Sequence, residues 1–279
     1  MFSNEAKGGL MNKKQLIIIV AIIAIAGIFI TLVARKFSGT VSLANRASAN
    51  GLLSQARALE AKGNLLEAKL LYQKLVNDFP GSCDVIDWQK KAENINIKLL
   101  FSPIITPKSV SYSIKPGDTL NKIAREYKTT PELIMKSNNI SGSLIIPGRK
   151  IKVWNSLFTI LVDKSQNVLM LKSDEEIFKT YIVSTGKNSC TPVGTFKIVN
   201  KLLNPTWFKA GAVVSPESPE NVLGTRWMGF DLAGYGIHGT TQPQELGKQV
   251  TQGCVRLSNA DVEELYSVIP VGTEVTIIE

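Results

Sequence analysis

The chain has 279 residues, 44% of them hydrophobic and 20% charged, and its 32 basic against 23 acidic residues give a formal charge of +9. That balance excludes a disordered chain and leaves room for one to three compact units. One histidine, His238, and three scattered cysteines, Cys83, Cys190 and Cys254, exclude a two-histidine metal site and argue against zinc, which takes about four close N or S ligands.

Residues 1–15 read as a short cytoplasmic tail. Leu16 to Ala34 is a run of 19 residues without a charge. As a helix it reaches about 28 Å, enough for the hydrocarbon core of a bilayer. A cleaved leader has a core of about 7–15 residues, so the length favours an uncleaved anchor. Basic residues flank both ends, so the positive-inside rule leaves orientation open, and an inside N-terminus with an exported body is the simpler arrangement. Residues 42–100 read as helical. Leu52, Leu53, Ala56 and Leu59 share one face, Gly63 ends that helix, and Asn64 with Glu67 forms a capping-box pattern for the next. Ala68, Leu71, Tyr72 and Leu75 line the second helix, which stops at Phe79-Pro80. The pair resembles a tetratricopeptide-type hairpin, either a spacer or a surface for a protein partner. Residues 101–109, with Pro103 and Pro107, form a linker.

Residues 110–154 predict a strand–helix–helix–strand unit. A strand from Ser111 to Ile114 meets the turn Lys115-Pro116-Gly117, and Asp118 is placed to cap a helix whose Leu120, Ile123, Ala124 and Tyr127 share a face. Thr130-Pro131 opens the second helix, Ile146-Pro147-Gly148 is a turn, and Lys150 to Val153 closes the unit. The stretch is basic: from Lys108 to Trp154 there are nine basic and three acidic residues, whereas Asn155 onward has ten and thirteen. That surplus suits an anionic partner or a solvated face. It lacks interleaved aromatics on a strand face, so nucleic acid is not expected. "YSIKPGDTLNKIAREYKTTPELIMKSNN" followed by "IIPGRKIKV" resembles a LysM module. The resemblance implies binding of N-acetylglucosamine-containing glycan, peptidoglycan above all, in a groove along Gly117, Asp118, Thr119 and Leu120 and the loop from Asn139 and Ile140.

Residues 156–279 change to period-two alternation. Phe158–Asp163, Val168–Lys172, Ile177–Ser184, Gly194–Val199 and Glu274–Ile278 read as strands between Asn, Asp, Gly and Pro turns. One helix is signalled, with Ser258 as cap, Asp261 three residues on, and Val262, Leu265 and Tyr266 on the buried face. The fold class is therefore multidomain, with a mainly β C-terminal domain, a sandwich or barrel with one helix.

The stretch "GYGIHGTTQPQELGKQVTQGCVRLSNADVEEL" carries the chemistry. Cys254 follows His238 by 16 positions and follows Gly253 directly. A thiolate is the reactive form of cysteine, and an imidazole in reach takes its proton. Taken alone, a lone cysteine is more often a small buried hydrophobe. The wider pattern is more specific. "VSTGKNSCTPVGTFKI", "NPTW", "RWMGFDLAGYGIHGT" and "TQGCVRLSNADV" resemble the L,D-transpeptidase catalytic domain, the YkuD-like family. The resemblance implies Cys254 as nucleophile, His238 as base, the Gly239 carbonyl as orienting partner, and the amides of Gly253 and Cys254 as oxyanion hole. Arg256, two residues past Cys254, is placed to pair with a substrate carboxylate in a bidentate fork, and Trp227 and Thr251 are further candidates for substrate binding. Many members carry His directly before Gly-Cys; here the residue is Gln252. Cys190 reads as incidental, and no metal or cofactor is expected.

What the resemblance implies is acyl transfer on peptidoglycan stem peptides. Cys254 attacks the carbonyl at the L-centre of the third residue of a donor tetrapeptide and releases D-Ala; an amine of another stem takes the acyl group. Water as acceptor gives an L,D-carboxypeptidase instead. A non-catalytic wall-binding scaffold is the reading from a different class. The expected location is a single-pass membrane protein with both C-terminal domains on the periplasmic or extracellular side.

Overall fold

The computed structural model describes residues 43–209 and 211–279. The expected anchor at 16–34 lies outside them, and among the described residues no helix is long and apolar enough to cross a membrane. The chain divides into two compact units at Gln89 and Lys90.

In the first unit, α1 (Leu43–Ala61) and α2 (Leu65–Asp78) are joined by Gly63, whose φ of +80° suits a residue without Cβ. Ala56 of α1 and Ala68, Tyr72 and Leu75 of α2 are buried, and Tyr72 donates to Glu60 Oε2 at 3.0 Å. The capping box suggested by Asn64 and Glu67 does not form: Asn64 makes no side-chain bond to the helix. A third helix, α3 (Val85–Leu100), follows; its residues from Lys90 on belong to the second unit.

The second unit begins with the βααβ module. Strands β1 (Ser109–Ser113) and β2 (Lys150–Trp154) pair antiparallel around α4 (Leu120–Glu126) and α5 (Pro131–Ser137). Thr130 caps α5 by accepting from the Leu133 amide at 2.9 Å. The cap of α4 is Thr119, which accepts from the Lys122 amide at 3.1 Å, not Asp118. The Asp118 carboxylate instead accepts from the Lys115 amide and the Tyr112 hydroxyl, at 2.9 and 2.8 Å. It therefore closes the turn one residue before the helix. The module has its own small core around Ile123, Ile134, Ile151 and Val153.

The remainder is one eight-stranded mixed sheet, two two-stranded sheets and one α-helix. In chain order its elements are β3 (Phe158–Asp163), β4 (Val168–Ser173), β5 (Glu176–Ile182), a two-residue strand β6 (Thr185–Gly186), β7 (Gly194–Leu203), the hairpin β8 (Trp207–Lys209) and β9 (Ala212–Val214), β10 (Arg226–Phe230), β11 (Gly236–His238), β12 (Gln249–Thr251), β13 (Val255–Arg256), α6 (Asn259–Val268) and β14 (Glu274–Ile278). The sheet order is β13-β11-β10-β7-β14-β3-β4-β5. It is a single curled half-barrel, so of the expected sandwich or barrel with one helix the structure takes the barrel-like form and not two packed sheets. Curling brings the two ends together at one point: Ser184, just past β5, exchanges two backbone hydrogen bonds with Arg256 of β13, at 2.8 and 2.9 Å. Alternation along β3 and β4 sends Ile160, Val162, Leu169 and Leu171 inward. Each such buried side chain contributes about 2–3 kcal/mol. Ser258 caps α6 through the Asp261 amide at 3.0 Å, and Val262 and Leu265 join the same core.

The module is seated on this sheet domain. Thr130 Oγ1 donates to the Ser267 carbonyl at the end of α6, and Lys136 Nζ lies 2.6 Å from Ser267 Oγ. The buried Lys152 ammonium donates to the carbonyls of Leu99 and Ser102, at 2.5 and 2.9 Å, occupying the acceptors left open where α3 ends.

Candidate active site

The site lies at the short-stranded end of the sheet. β11 runs parallel to β13 with His238 opposite Arg256 and Ile237 opposite Val255. Carrying that register back puts Cys254 opposite Gly236, on the same side as His238 by the two-residue period of strands. β10 pairs antiparallel with β11, Trp227 opposite His238, and the indole stacks on the imidazole at 5.9 Å and 21°. Trp227 Nε1 donates to Asn200 Oδ1 at 3.1 Å, fixing the indole. Trp227 thus touches the imidazole directly.

His238 is buried. Its Nδ1 lies 2.7 Å from the Gly239 carbonyl, so Nδ1 carries the proton and Nε2 is left basic. Burial pushes the imidazole down to about 4, assisted by the nearby Arg256 charge and opposed by the carbonyls of Gly239 and Leu223. Burial pushes the Cys254 thiol up to about 11, against the Gly236 amide and the Arg256 charge, which favour the thiolate. At neutral pH the pair therefore rests uncharged, thiol and imidazole, rather than as thiolate and imidazolium. The thiol points to the Gly234 carbonyl at 3.5 Å.

A rigid turn presents Cys254. Thr251 Oγ1 donates to the Cys254 carbonyl at 2.7 Å and accepts from the Gly253 amide at 3.1 Å. The hydroxyl of Thr251 is buried and committed to this turn, and the Gly253 amide is engaged by it. Gly253 has φ +123°, and a Cβ there would stand 2.6 Å from the Tyr235 ring, so only glycine fits. Gly239 is confined in the same way: its Cβ would meet Asn259 Oδ1 at 2.3 Å. Asn259 Oδ1 accepts from the amides of Thr225 and Thr240, at 3.2 and 3.1 Å, and so pins the chain leaving His238.

Arg256 is buried, and its Nη1 lies 2.6 Å from Glu245 Oε2. Its guanidinium is thus held by a carboxylate of this chain, while its Nε has no partner. Gln252, exposed, takes the position before Gly253. In the module, Gly117 (φ +81°) and Asn139 (φ +51°) are turn positions, Leu120 is buried, and Ile140 packs on the module core. Tyr235, Asn259, Glu245 and Cys190 were not anticipated as neighbours of the site. Only the Asn at the start of α6 offered a local cue, beside the Ser258 cap. Among the described residues no group of three or more His, Cys, Asp or Glu is placed to hold a metal.

Residues 158–277 match the L,D-transpeptidase catalytic domain and residues 112–154 match the LysM domain. YkuD of Bacillus licheniformis is 35% identical over 176 residues, covering 60% of this chain and 97% of its own length. YkuD of Bacillus subtilis is 33% identical over 176 residues, covering 60% and 98%. The solved catalytic domain of the Enterococcus faecium L,D-transpeptidase is 24% identical, covering 43% of this chain and 96% of that one, with a TM-score of 0.37. With the catalytic-domain model matching over residues 158–277 and the Bacillus relatives covered almost end to end, the chain belongs to the YkuD-type L,D-transpeptidases, a family of cysteine-dependent transferases, and it carries a LysM domain.

Proposed function

We propose that the protein crosslinks peptidoglycan by thioester chemistry at Cys254. The observation that carries this is the parallel pairing of β11 with β13, with His238 opposite Arg256 and stacked on Trp227, which supports reading Cys254 and His238 as partners on one face. A donor tetrapeptide stem binds with the carbonyl of its third residue at the sulfur. The thiol turns from the Gly234 carbonyl toward the imidazole, and His238 takes its proton as the C–S bond forms. Gly239 holds the resulting imidazolium through Nδ1–H. The Cys254 amide donates to the oxyanion; the Gly253 amide joins it once released from Thr251. His238 then returns the proton to the departing D-Ala amine. In the second step His238 deprotonates the acceptor amine of another stem, which attacks the thioester and regenerates the thiol.

Arg256 lies opposite His238 with its charge balanced by Glu245, and it stabilises the thiolate that forms as the proton leaves Cys254. The LysM domain holds the glycan through the turn at Gly117, Asp118, Thr119 and Leu120 and the loop at Asn139 and Ile140. The uncharged run at 16–34 anchors the chain so that these domains act outside the cytoplasm, and residues 42–100 offer a surface to a protein partner. Incubating the full chain with purified disaccharide-tetrapeptide tests the reaction. Dimers lighter by one D-Ala are the expected product. Tripeptide monomers alone make water the acceptor, and unchanged substrate overturns the enzymatic reading.

A further inference from the structure

The loop after β6 carries Cys190, and it lies against the turn that presents Cys254. Cys190 Sγ is 3.9 Å from the Thr251 carbonyl, and the Cys190 carbonyl is 3.4 Å from the place a Gly253 Cβ would take. Thr251 in turn holds the Cys254 carbonyl. The short pairing of β12 with β6 fixes this proximity, with Thr251 opposite Gly186. Cys190 is exposed, whereas Cys254 is partly buried, and both are free thiols.

We propose that Cys190 and Cys254 form a modification site for low-molecular-weight disulfides, which oxidise the pair to an intramolecular disulfide that caps the nucleophile. The proposal rests on the reading of Cys254 as nucleophile. Three observations carry it. The exposed thiol meets a small disulfide first. The buried thiol has a base, His238, to take its proton. The connecting loop has conformational strain to release: Asn188 and Ser189 both sit at left-handed φ, +50° and +59°, a conformation that Asn tolerates and Ser disfavours. Two bonds hold it there, Lys164 Nζ to the Ser189 carbonyl at 2.9 Å and Ser189 Oγ to Glu279 Oε2 at 3.0 Å. Letting these go frees Cys190 to approach the nucleophile.

The exchange balances. The Cys190 thiolate attacks one sulfur of RSSR, forms a mixed disulfide and expels RS⁻. Cys254 gives its proton to His238, and its thiolate attacks the Cys190 sulfur and expels the second RS⁻. Two electrons pass from the protein thiols to the small disulfide, which leaves as two RSH, and excess RSH reverses the sequence.

The test uses the full chain with Cys83→Ser, which removes the other exposed thiol, treated with oxidised glutathione. The expected result is a mass lower by two hydrogens, a peptide pair linked through Cys190 and Cys254, and loss of carbapenem acylation at Cys254 that dithiothreitol restores. Adding Cys190→Ser removes the linked pair and leaves acylation intact after the same treatment and removal of glutathione. A stable glutathione adduct on Cys190, with Cys254 still open to acylation, overturns the proposal. If the linked pair forms but untreated protein takes no carbapenem on Cys254, the disulfide stands and the nucleophile reading fails.

Discussion

The two ends of the eight-stranded sheet are built on different terms. At one end, β14, β3, β4 and β5 are five to seven residues long, alternate inward and outward, and bury Ile160, Val162, Leu169 and Leu171. At the other, β11 and β13 have three and two residues. Glycines at 236, 239 and 253 sit where a Cβ would clash within 3 Å, and a charged guanidinium and an imidazole are buried. The long-stranded end gains stability from apolar area. The short-stranded end gives up such area to hold polar groups in fixed geometry, a division that places chemistry where the scaffold contributes least.

Substitutions at the two ends separate these roles. Cys254→Ser leaves a hydroxyl too weakly acidic for His238 to activate, and crosslinking falls by about four orders of magnitude or more while the melting temperature stays near that of the parent; wild-type crosslinking by this variant removes the nucleophile from the mechanism. His238→Gln lowers the acylation rate by about 10³-fold. A loss confined to KM points to binding instead. Gly253→Ala meets the Tyr235 ring and displaces the thiol, for about a 10²-fold loss in rate. Because the thiol lies near 11 and the imidazole near 4, alkylation of Cys254 by iodoacetamide rises about tenfold per pH unit from 7 to 10 as the thiolate fraction grows. A plateau near neutrality identifies a preformed ion pair. At the other end, Leu169→Ala opens a cavity in a fully buried position. It lowers stability by about 3 kcal/mol in denaturant titrations and leaves kcat of the folded protein unchanged.

The same contrast explains what was legible in the sequence. β3 and β14 match their expected bounds because alternation over five or six residues is a direct record of one-sided burial. Ser258 and Thr130 are caps, each marked by its own side-chain chemistry. The chain's single histidine leaves one choice for any imidazole base, and the family pattern around Gly253 points to Cys254 among three cysteines. The rest is set across the chain. Asp118 loses the α4 cap to Thr119 because Tyr112 and Lys115 reach its carboxylate first. Arg256 meets Glu245 rather than open solvent, and Thr251 spends its hydroxyl on the turn, because loop paths between strands of two or three residues leave no periodic signal. Cys190, read as incidental, is brought to the site by the pairing of β6 with β12, each too short to announce itself.

The bridge between Ser184 and Arg256 also bears on the order in which the molecule takes shape. It joins the two edges of the sheet across a long stretch of chain, so its loop-closure entropy is met only after the intervening strands have paired. β13 pairs with β11 over a short connection, and the bridge ties that pair to the far edge of the sheet. Closure of the curl is therefore expected to follow the local pairing of β11 with β13, as a late and long-range step.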